Sequence, residues 1–404
     1  MSEPLVVIGN GMASARFVEE LTARVLGRYS IAVLGNEGTP AYNRVLLSSV
    51  LADEAKASDL ALKPARWWQD RGVTLLYDHP AVAIDTAIRR VRLASGATLP
   101  FARLVLATGS RPIRLGTPGM DLPGVVTFRD LGDVAAIRKA TRAQGRAVVI
   151  GGGLLGLEAA YGLAKAGAKV TLIHLMDRLM ERQLDAHAAA MLRQAVEMRG
   201  VTVLLQAQTA RIEGKSRVEA VVLSDGRRIA ADMVVVAVGI RPNTALAQSA
   251  GADTNRGIMV DDRLETSVPG IHAIGECAEH RGQCYGLVEP AYEQARVLAM
   301  TLAGQKAAYA GSVPSTNLKV SGVNVFSAGD FIGAAGTEAI VFSDPGPGTY
   351  RKFVIRDERL AGAVLFGDTA DSHWYLELIR SGRAITRFRG ELAFGRALAG
   401  PLAA

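Results

Sequence analysis

Two glycine turns constrain this chain of 404 residues more than anything else in it. Leu5-Val6-Val7-Ile8 runs into Gly9-Asn10-Gly11-Met12-Ala13-Ser14, and Val148-Val149-Ile150 runs into Gly151-Gly152-Gly153-Leu154-Leu155-Gly156. A short apolar run bounded by glycine suits a strand buried on both faces, the kind found in parallel sheets. Apolar periodicity after each turn predicts helices over Met12 to Leu26 and Leu154 to Ala166. A strand, a Gly-x-Gly-x-x-Gly turn and a helix together make a phosphate cradle. The first glycine permits the tight turn, the second lets the backbone approach a pyrophosphate, and a small third residue lets helix pack on strand. Further apolar runs end at glycine in Leu104 to Gly109, Met233 to Gly239 and Ile271 to Gly275, so the expected class is α/β with a doubled nucleotide unit.

The two cradles differ in detail. In the first, Ser14 takes the third place. Glu37 lies just past the next strand, Ile31 to Leu34, where a carboxylate accepts both ribose hydroxyls; a solvated loop acid is the competing reading. The second cradle matches the full pattern, and Glu158 in its helix is either a partner for a nicotinamide carboxamide or an ordinary helix acid. Its following strand, Lys169 to Ile173, ends in His174 and not in an acid. A carboxylate there would hold the 2′-OH of NAD and repel a 2′-phosphate. With His174 in that place and Arg178 nearby, NADH and NADPH both remain open, and His174 could equally be a packing residue.

Composition narrows the chemistry. The chain is 49% hydrophobic and 21% charged, which excludes disorder. Its net charge of +7 comes from scattered arginines with few aromatics, so nucleic acid is not the expected partner. Two cysteines cannot build a disulfide framework, an iron–sulfur centre or a thiolate zinc site, so no metal is expected and redox chemistry belongs to an organic cofactor. Two nucleotide units without a metal signature suggest hydride transfer from a nicotinamide to a flavin. Met1 to Pro4 runs straight into the first strand, and no stretch approaches the roughly 18 apolar residues of a membrane helix; a cytoplasmic protein without membrane contact is expected. Ser95-Gly96 and Ser224-Asp225-Gly226 look like hairpin turns. After Gly311, strand-like alternation over Val313 to Gly329 and Tyr350 to Gly367, around a Pro345-Gly346-Pro347-Gly348 loop, predicts a separate α+β domain.

These pieces resemble the FAD- and NAD(P)-dependent pyridine nucleotide–disulfide oxidoreductase superfamily. The likeness rests on the Gly9 loop, Ala107-Thr108-Gly109-Ser110, the Gly151 loop, Ala237-Val238-Gly239-Ile240-Arg241-Pro242-Asn243 and Ile271 to Ala278. It implies a glutathione-reductase-like order: an FAD domain (1–113 and 244–311) interrupted by an NAD(P) domain (114–243), both Rossmann-like, then a C-terminal α+β interface domain (312–404). FAD contacts are implied at Gly9, Gly11, Ser14, Glu37, Arg44, Ala107, Thr108, Gly109, Gly275, Glu276 and Val288, and NAD(P)H contacts at Gly151, Gly153, Gly156, Glu158 and Gly239. Glu276 would grip the ribityl chain in place of the more usual Asp. Arg44 would sit near the FAD pyrophosphate or ring edge unless it is an ordinary surface arginine. Val288-Glu289-Pro290-Ala291 would open a helix with its positive end toward the flavin pyrimidine.

Narrower marks resemble the FAD/NADH module at the N-terminus of assimilatory nitrite reductase large subunits and the reductases that deliver electrons in nitrate assimilation. They are Tyr42 to Ser48, Leu179-Met180-Glu181-Arg182-Gln183-Leu184-Asp185, Gly275 to Ala278, Tyr285 to Val288, Thr316 to Lys319 and Gly367 to Thr369. Those subunits continue into iron–sulfur and sirohaem segments, so the expectation is a free-standing reductase arm that hands electrons to a nitrate or nitrite reductase subunit. A rubredoxin or ferredoxin reductase feeding an oxygenase is the alternative, although Ser48-Ser49 stands where many of those relatives carry a lysine after the matching arginine. A flavin-binding regulatory protein without turnover is a third reading. Residues 1–276 contain no cysteine, which excludes thiol-dependent reductases. Cys277 and Cys284 are expected to be plain packing thiols, and no residue is expected to act as a covalent or acid–base catalyst. Arg380, Arg383, Arg387 and Arg389 form a candidate docking patch for an acidic acceptor; a solvated face is the alternative. Monomer and dimer both remain open.

Overall fold

A computed structural model describes residues 2–141, 144–320 and 322–403. Packing divides the chain into two units: Met1–Leu47, Ala55–Pro112 and Ile240–Ser312 form the first, and Ser48–Glu54, Ile113–Gly239 and Val313–Ala404 the second.

The first unit is built on a five-stranded parallel sheet in the order Ile271–Ala273, Arg103–Leu106, Glu3–Ile8, Tyr29–Leu34, Thr74–Leu76. Its apolar runs have no polar alternation because both faces are covered. Leu5 and Val7 pack with Phe17, Val18 and Leu21 of the helix Met12–Val25 and with Leu298 and Leu302 of the helix Val288–Leu302. Val6 and Ile8, pointing the other way, pack with Val91, Leu93 and Phe101. An antiparallel addition, Ala81–Asp85, Arg90–Leu93 and Thr98–Pro100, carries the Ser95-Gly96 turn.

The second unit repeats the plan. Its parallel sheet runs Val201–Leu204, Lys169–Ile173, Arg146–Ile150, Met233–Val236, Val125–Thr127, again with the strand that feeds the glycine turn in the middle. The helix after that turn is Leu154–Lys165. The Ser224-Asp225-Gly226 turn joins Ala220–Leu223 to Arg228–Ala230.

The same unit contains an antiparallel five-stranded sheet, in the order Ser315–Val320, Val323–Gly329, Arg359–Phe366, Thr349–Arg356, Glu338–Asp344. The helix Ser372–Ser381 covers one face, burying Trp374 and Tyr375 with Phe326, Phe353 and Leu365. The Pro345 to Gly348 loop closes a hairpin whose outer strand, Glu338–Asp344, lacks the alternation that would announce it: it is an edge strand with most side chains exposed. Among the described residues, no helix is long and apolar enough to cross a membrane.

Candidate nucleotide-binding sites

The first cradle is closed at one glycine and open at the next. At Gly9 (φ 114°) an added Cβ would stand 2.1 Å from the Ala107 carbonyl oxygen, so this position admits no side chain. At Gly11 such an atom would meet nothing within 4 Å, which leaves room for a ligand against bare backbone. Ser14, fully buried, explains its own departure from glycine: its hydroxyl donates to Gly9 O at 2.5 Å and accepts from Gly11 N at 3.0 Å, tying the turn to the helix.

The helix starts are equally telling. The chain caps two ordinary helices with aspartates, Asp130 on Leu131–Ala140 and Asp185 on Ala186–Glu197. The helices of the two cradles, Met12–Val25 and Leu154–Lys165, have Gly11 and Gly153 at the N-cap, which offer no side chain to the first helical N–H groups, and neither has an acid in its first turn. Their orphan N–H groups and positive dipole ends therefore face the cradle, suited to a diphosphate.

Around the first cradle the other expected residues gather. Glu37 accepts from Tyr42 Oη at 2.7 Å and pairs with Arg44, whose guanidinium lies 4.7 Å from the Tyr42 ring centroid. Two expected contacts are thus one hydrogen-bonded group. It connects to the cradle through Gly35, where a Cβ would lie 3.1 Å from Asn10 Cβ. On the other side, Ala107-Thr108-Gly109 is locked by Asn243: Thr108 Oγ1 donates to Asn243 O and Asn243 Nδ2 to Thr108 O, each at 2.9 Å. Gly275 (φ 80°) packs on Ala13, where its Cβ would come within 3.0 Å, and its N–H donates to Gln294 Oε1 at 2.7 Å. Ser110 Oγ donates to Glu276 Oε2 at 2.7 Å. Val288 is the first residue of the helix that carries Gln294.

The remaining expected residues belong to the second unit. A Cβ at Gly151 (φ 122°) would strike Ala237 O at 2.2 Å, one at Gly156 would strike Gly151 O at 1.9 Å, and one at Gly153 would meet nothing within 4 Å. Glu158 is half-buried on the second turn of the helix. Gly239 (φ 118°) accepts at its carbonyl from Ile113 N at 3.0 Å.

The string Leu179 to Asp185 acquires a physical role here. Leu179, Met180 and Leu184 are fully buried, Met180 takes a left-handed backbone (φ 48°), and its N–H donates to Gly152 O at 3.0 Å. Asp185 caps the next helix through Ala188 N and accepts from Tyr350 Oη of the antiparallel sheet at 2.7 Å. Burial together with Asp185 raises the Tyr350 pKa, so this hydroxyl keeps its proton.

Sequence reasoning passed over Gln294, Ser110 and Tyr42 as individual groups. Gln294 carried the one usable signal, a polar residue on the buried face of an otherwise apolar helix stripe. The thiols match the plain reading. Cys277 is buried, donating toward Leu106 O and Ile274 O, and burial pushes its pKa up. Cys284 is half-buried, with its pKa raised by burial and by Glu279.

Residues 3–297 match the family model of the pyridine nucleotide-disulphide oxidoreductases, and residues 314–383 that of the rubredoxin NAD+ reductase C-terminal domain. The chain is 46% identical over 377 residues to a nitrite reductase [NAD(P)H] of Bacillus subtilis (strain 168), covering 93% of this chain and 47% of that protein. It is 42% identical over 383 residues to the assimilatory nitrate reductase electron transfer subunit of the same organism, covering 95% and 50%. It thus spans about half the length of these relatives. Among solved structures, the ferredoxin reductase for the CYP199A2 system of Rhodopseudomonas palustris superposes with a TM-score of 0.88 at 28% identity, covering 95% of this chain and 96% of that one. With two glycine cradles on two parallel sheets and a family match over most of its length, this chain belongs to the pyridine nucleotide-disulphide oxidoreductases.

Proposed function

We propose that this chain is an NAD(P)H-dependent reductase that holds FAD and passes electrons to a separate redox protein in nitrate or nitrite assimilation. The observation that carries the reading is the doubled cradle: two glycine-capped helices, each at the middle strand of a parallel sheet. The Bacillus subtilis relatives supply the assimilatory context.

Residues 1–113 with 244–311 would form the FAD domain, 114–243 the NAD(P)H domain and 312–404 the interface domain. Gly9, Gly11 and the start of the Met12 helix would cradle the FAD diphosphate, and Ser14 holds that turn closed. Glu37, oriented by Tyr42 and Arg44, would take ribose hydroxyls, and Arg44 adds a fixed cation beside the phosphates. Glu276, oriented by Ser110, would take the ribityl chain, with Ala107, Thr108, Gly109 and Gly275 shaping the wall and Val288 opening a helix toward the ring. Gly151, Gly153 and Gly156 would cradle NAD(P)H, with Glu158 and Gly239 beside it. When bound, FAD would supply the redox chemistry that links a two-electron nicotinamide donor to a protein acceptor. The protein's residues bind and orient; burial raises both thiol pKa values, which disfavours the thiolate form at Cys277 and Cys284. A cytoplasmic location follows from this role.

A ferredoxin or rubredoxin reductase is the second reading, favoured by the match of residues 314–383 and by the Rhodopseudomonas palustris neighbour. Anaerobic NADH or NADPH should bleach the visible absorbance of the purified yellow protein within seconds. Absorbance that persists for many minutes with both would overturn the reductase reading in favour of a regulatory flavoprotein. Steady-state reduction of a nitrite reductase partner against a ferredoxin or rubredoxin then separates the two reductase readings.

A further inference from the structure

We propose that Glu181, positioned by His174, selects NADH over NADPH at the second cradle. The inference rests on the reading that the Gly151 cradle holds the dinucleotide. In that geometry the strand after the phosphate helix ends at the adenosine ribose, and an acid at its tip binds the 2′-OH. Here the tip of Lys169–Ile173 is His174.

His174 is 8% exposed and fixed at both ring nitrogens. Nδ1 accepts from Gly152 N at 3.0 Å, so in the neutral ring the proton resides on Nε2, which reaches Glu181 Oε2 at 3.1 Å. The imidazole thus links the phosphate loop to a carboxylate seven residues further along the chain. Gly152 must be glycine for this to exist, because a Cβ there would stand 2.6 Å from the His174 ring. The loop is tied back by Met180 N on Gly152 O and by the buried side chains of Leu179, Met180 and Leu184. That anchoring holds the Glu181 side chain, one quarter exposed, beside the strand tip.

The carboxylate missing from the strand tip is therefore restored through a histidine. A carboxylate at this place accepts from a ribose hydroxyl and repels a 2′-phosphate. Of the neighbouring cations, Arg178 donates to the adjacent Asp177 at 3.1 Å and Arg182 is exposed to solvent.

Isothermal titration of the purified protein with ADP-ribose and with 2′-phospho-ADP-ribose tests this without turnover, and kcat/KM for NADH and NADPH gives a second readout. The wild type should favour ADP-ribose by about tenfold or more, the worth of one charge-assisted hydrogen bond. Glu181→Gln should bring the ratio to within about threefold, and Glu181→Lys should favour the 2′-phosphate. His174→Phe keeps the ring but loses both nitrogens, and it should collapse the ratio as Glu181→Gln does, a change that general loosening of the loop would not produce. A wild type that prefers the 2′-phosphate, or a ratio unmoved by Glu181→Gln, would overturn the role of Glu181 and leave the cradle reading standing. Failure of both ligands to bind the wild type would overturn both.

Discussion

Replacing Gly156 with alanine puts one methyl group where the second cradle has no room. The new Cβ would stand 1.9 Å from Gly151 O and 2.9 Å from its carbonyl carbon, whereas real Cβ contacts essentially never fall under 3.0 Å. Gly151 cannot yield: its N–H is bonded to Ile173 O at 2.8 Å, and its Cα faces Ala237 so closely that a Cβ would lie 2.2 Å from that carbonyl oxygen. The helix Leu154–Lys165 must therefore lift by roughly 1 Å, at a cost of about 1–3 kcal/mol for forced overpacking. The same movement stretches hydrogen bonds from its first N–H groups to a bound diphosphate beyond about 3.2 Å. Losing one charge-assisted bond is worth about 1.5–3 kcal/mol, so ADP-ribose should bind about 10- to 100-fold more weakly. Isothermal titration measures that, and FAD content of the same preparation serves as control, because the first cradle uses other residues. Ser14→Ala is the counterpart. There the third position already accommodates a side chain, so alanine brings no clash and removes only the hydroxyl bonds to Gly9 and Gly11. It should weaken FAD retention modestly and leave ADP-ribose binding unchanged. Wild-type ADP-ribose affinity in Gly156→Ala would refute the steric argument.

Three other perturbations test different parts of the molecule. His272 is buried in the first sheet, and burial first, then the Arg103 cation, outweigh Glu265 and Asp261 to lower its pKa to about 4. The unfolded chain takes up a proton near pH 6.5 that the folded one refuses, so stability should fall as pH drops from about 6.5 toward 4, by up to about 3 kcal/mol; urea midpoints at pH 7 and 5 should show it, and an equal drop in His272→Leu would refute it. Tyr350→Phe removes the buried bond to Asp185 and should cost about 2 kcal/mol in urea unfolding, and a double-mutant cycle with Asp185→Asn should return a coupling of about 1 kcal/mol or more, against additivity if the contact is idle. In the arginine patch, Arg389 is engaged by Glu338 and Glu358, whereas Arg383 and Arg387 are exposed. Charge reversal at those two should lower reduction of an acidic protein acceptor and flatten its salt dependence without changing ferricyanide reduction; equal loss with both acceptors would refute docking there.

What was legible in the sequence is what the backbone dictates locally. A phosphate turn needs positions without Cβ atoms, and only glycine supplies them, so Gly9 and Gly151 advertise their geometry in the residue type itself. Strands covered on both faces likewise advertise themselves as unbroken apolar runs. Two kinds of feature escaped. The edge strand Glu338–Asp344 meets solvent along most of its length; only Ile340 and Phe342 turn toward the core, and the exposed Val341 between them hides that alternation in an unbroken apolar run. Polar pairings depend on where the chain returns: Asp185 meets Tyr350 across 165 positions, and Gly275 meets Gln294 across 19, past the short strand Ala278–His280 and the loop that follows it. His174 and Glu181 are only seven apart, yet their meeting depends on Met180 adopting a left-handed backbone that nothing in a methionine announces. The string Leu179 to Asp185 thus marks kinship in the sequence for a structural reason. Its apolar members bury the loop under Gly152, its first acid is carried on the strand-tip histidine, and its last acid caps a helix while holding the antiparallel sheet. A substitution at any of these positions would be felt at the cradle or at the sheet, although no member lies in a glycine turn itself.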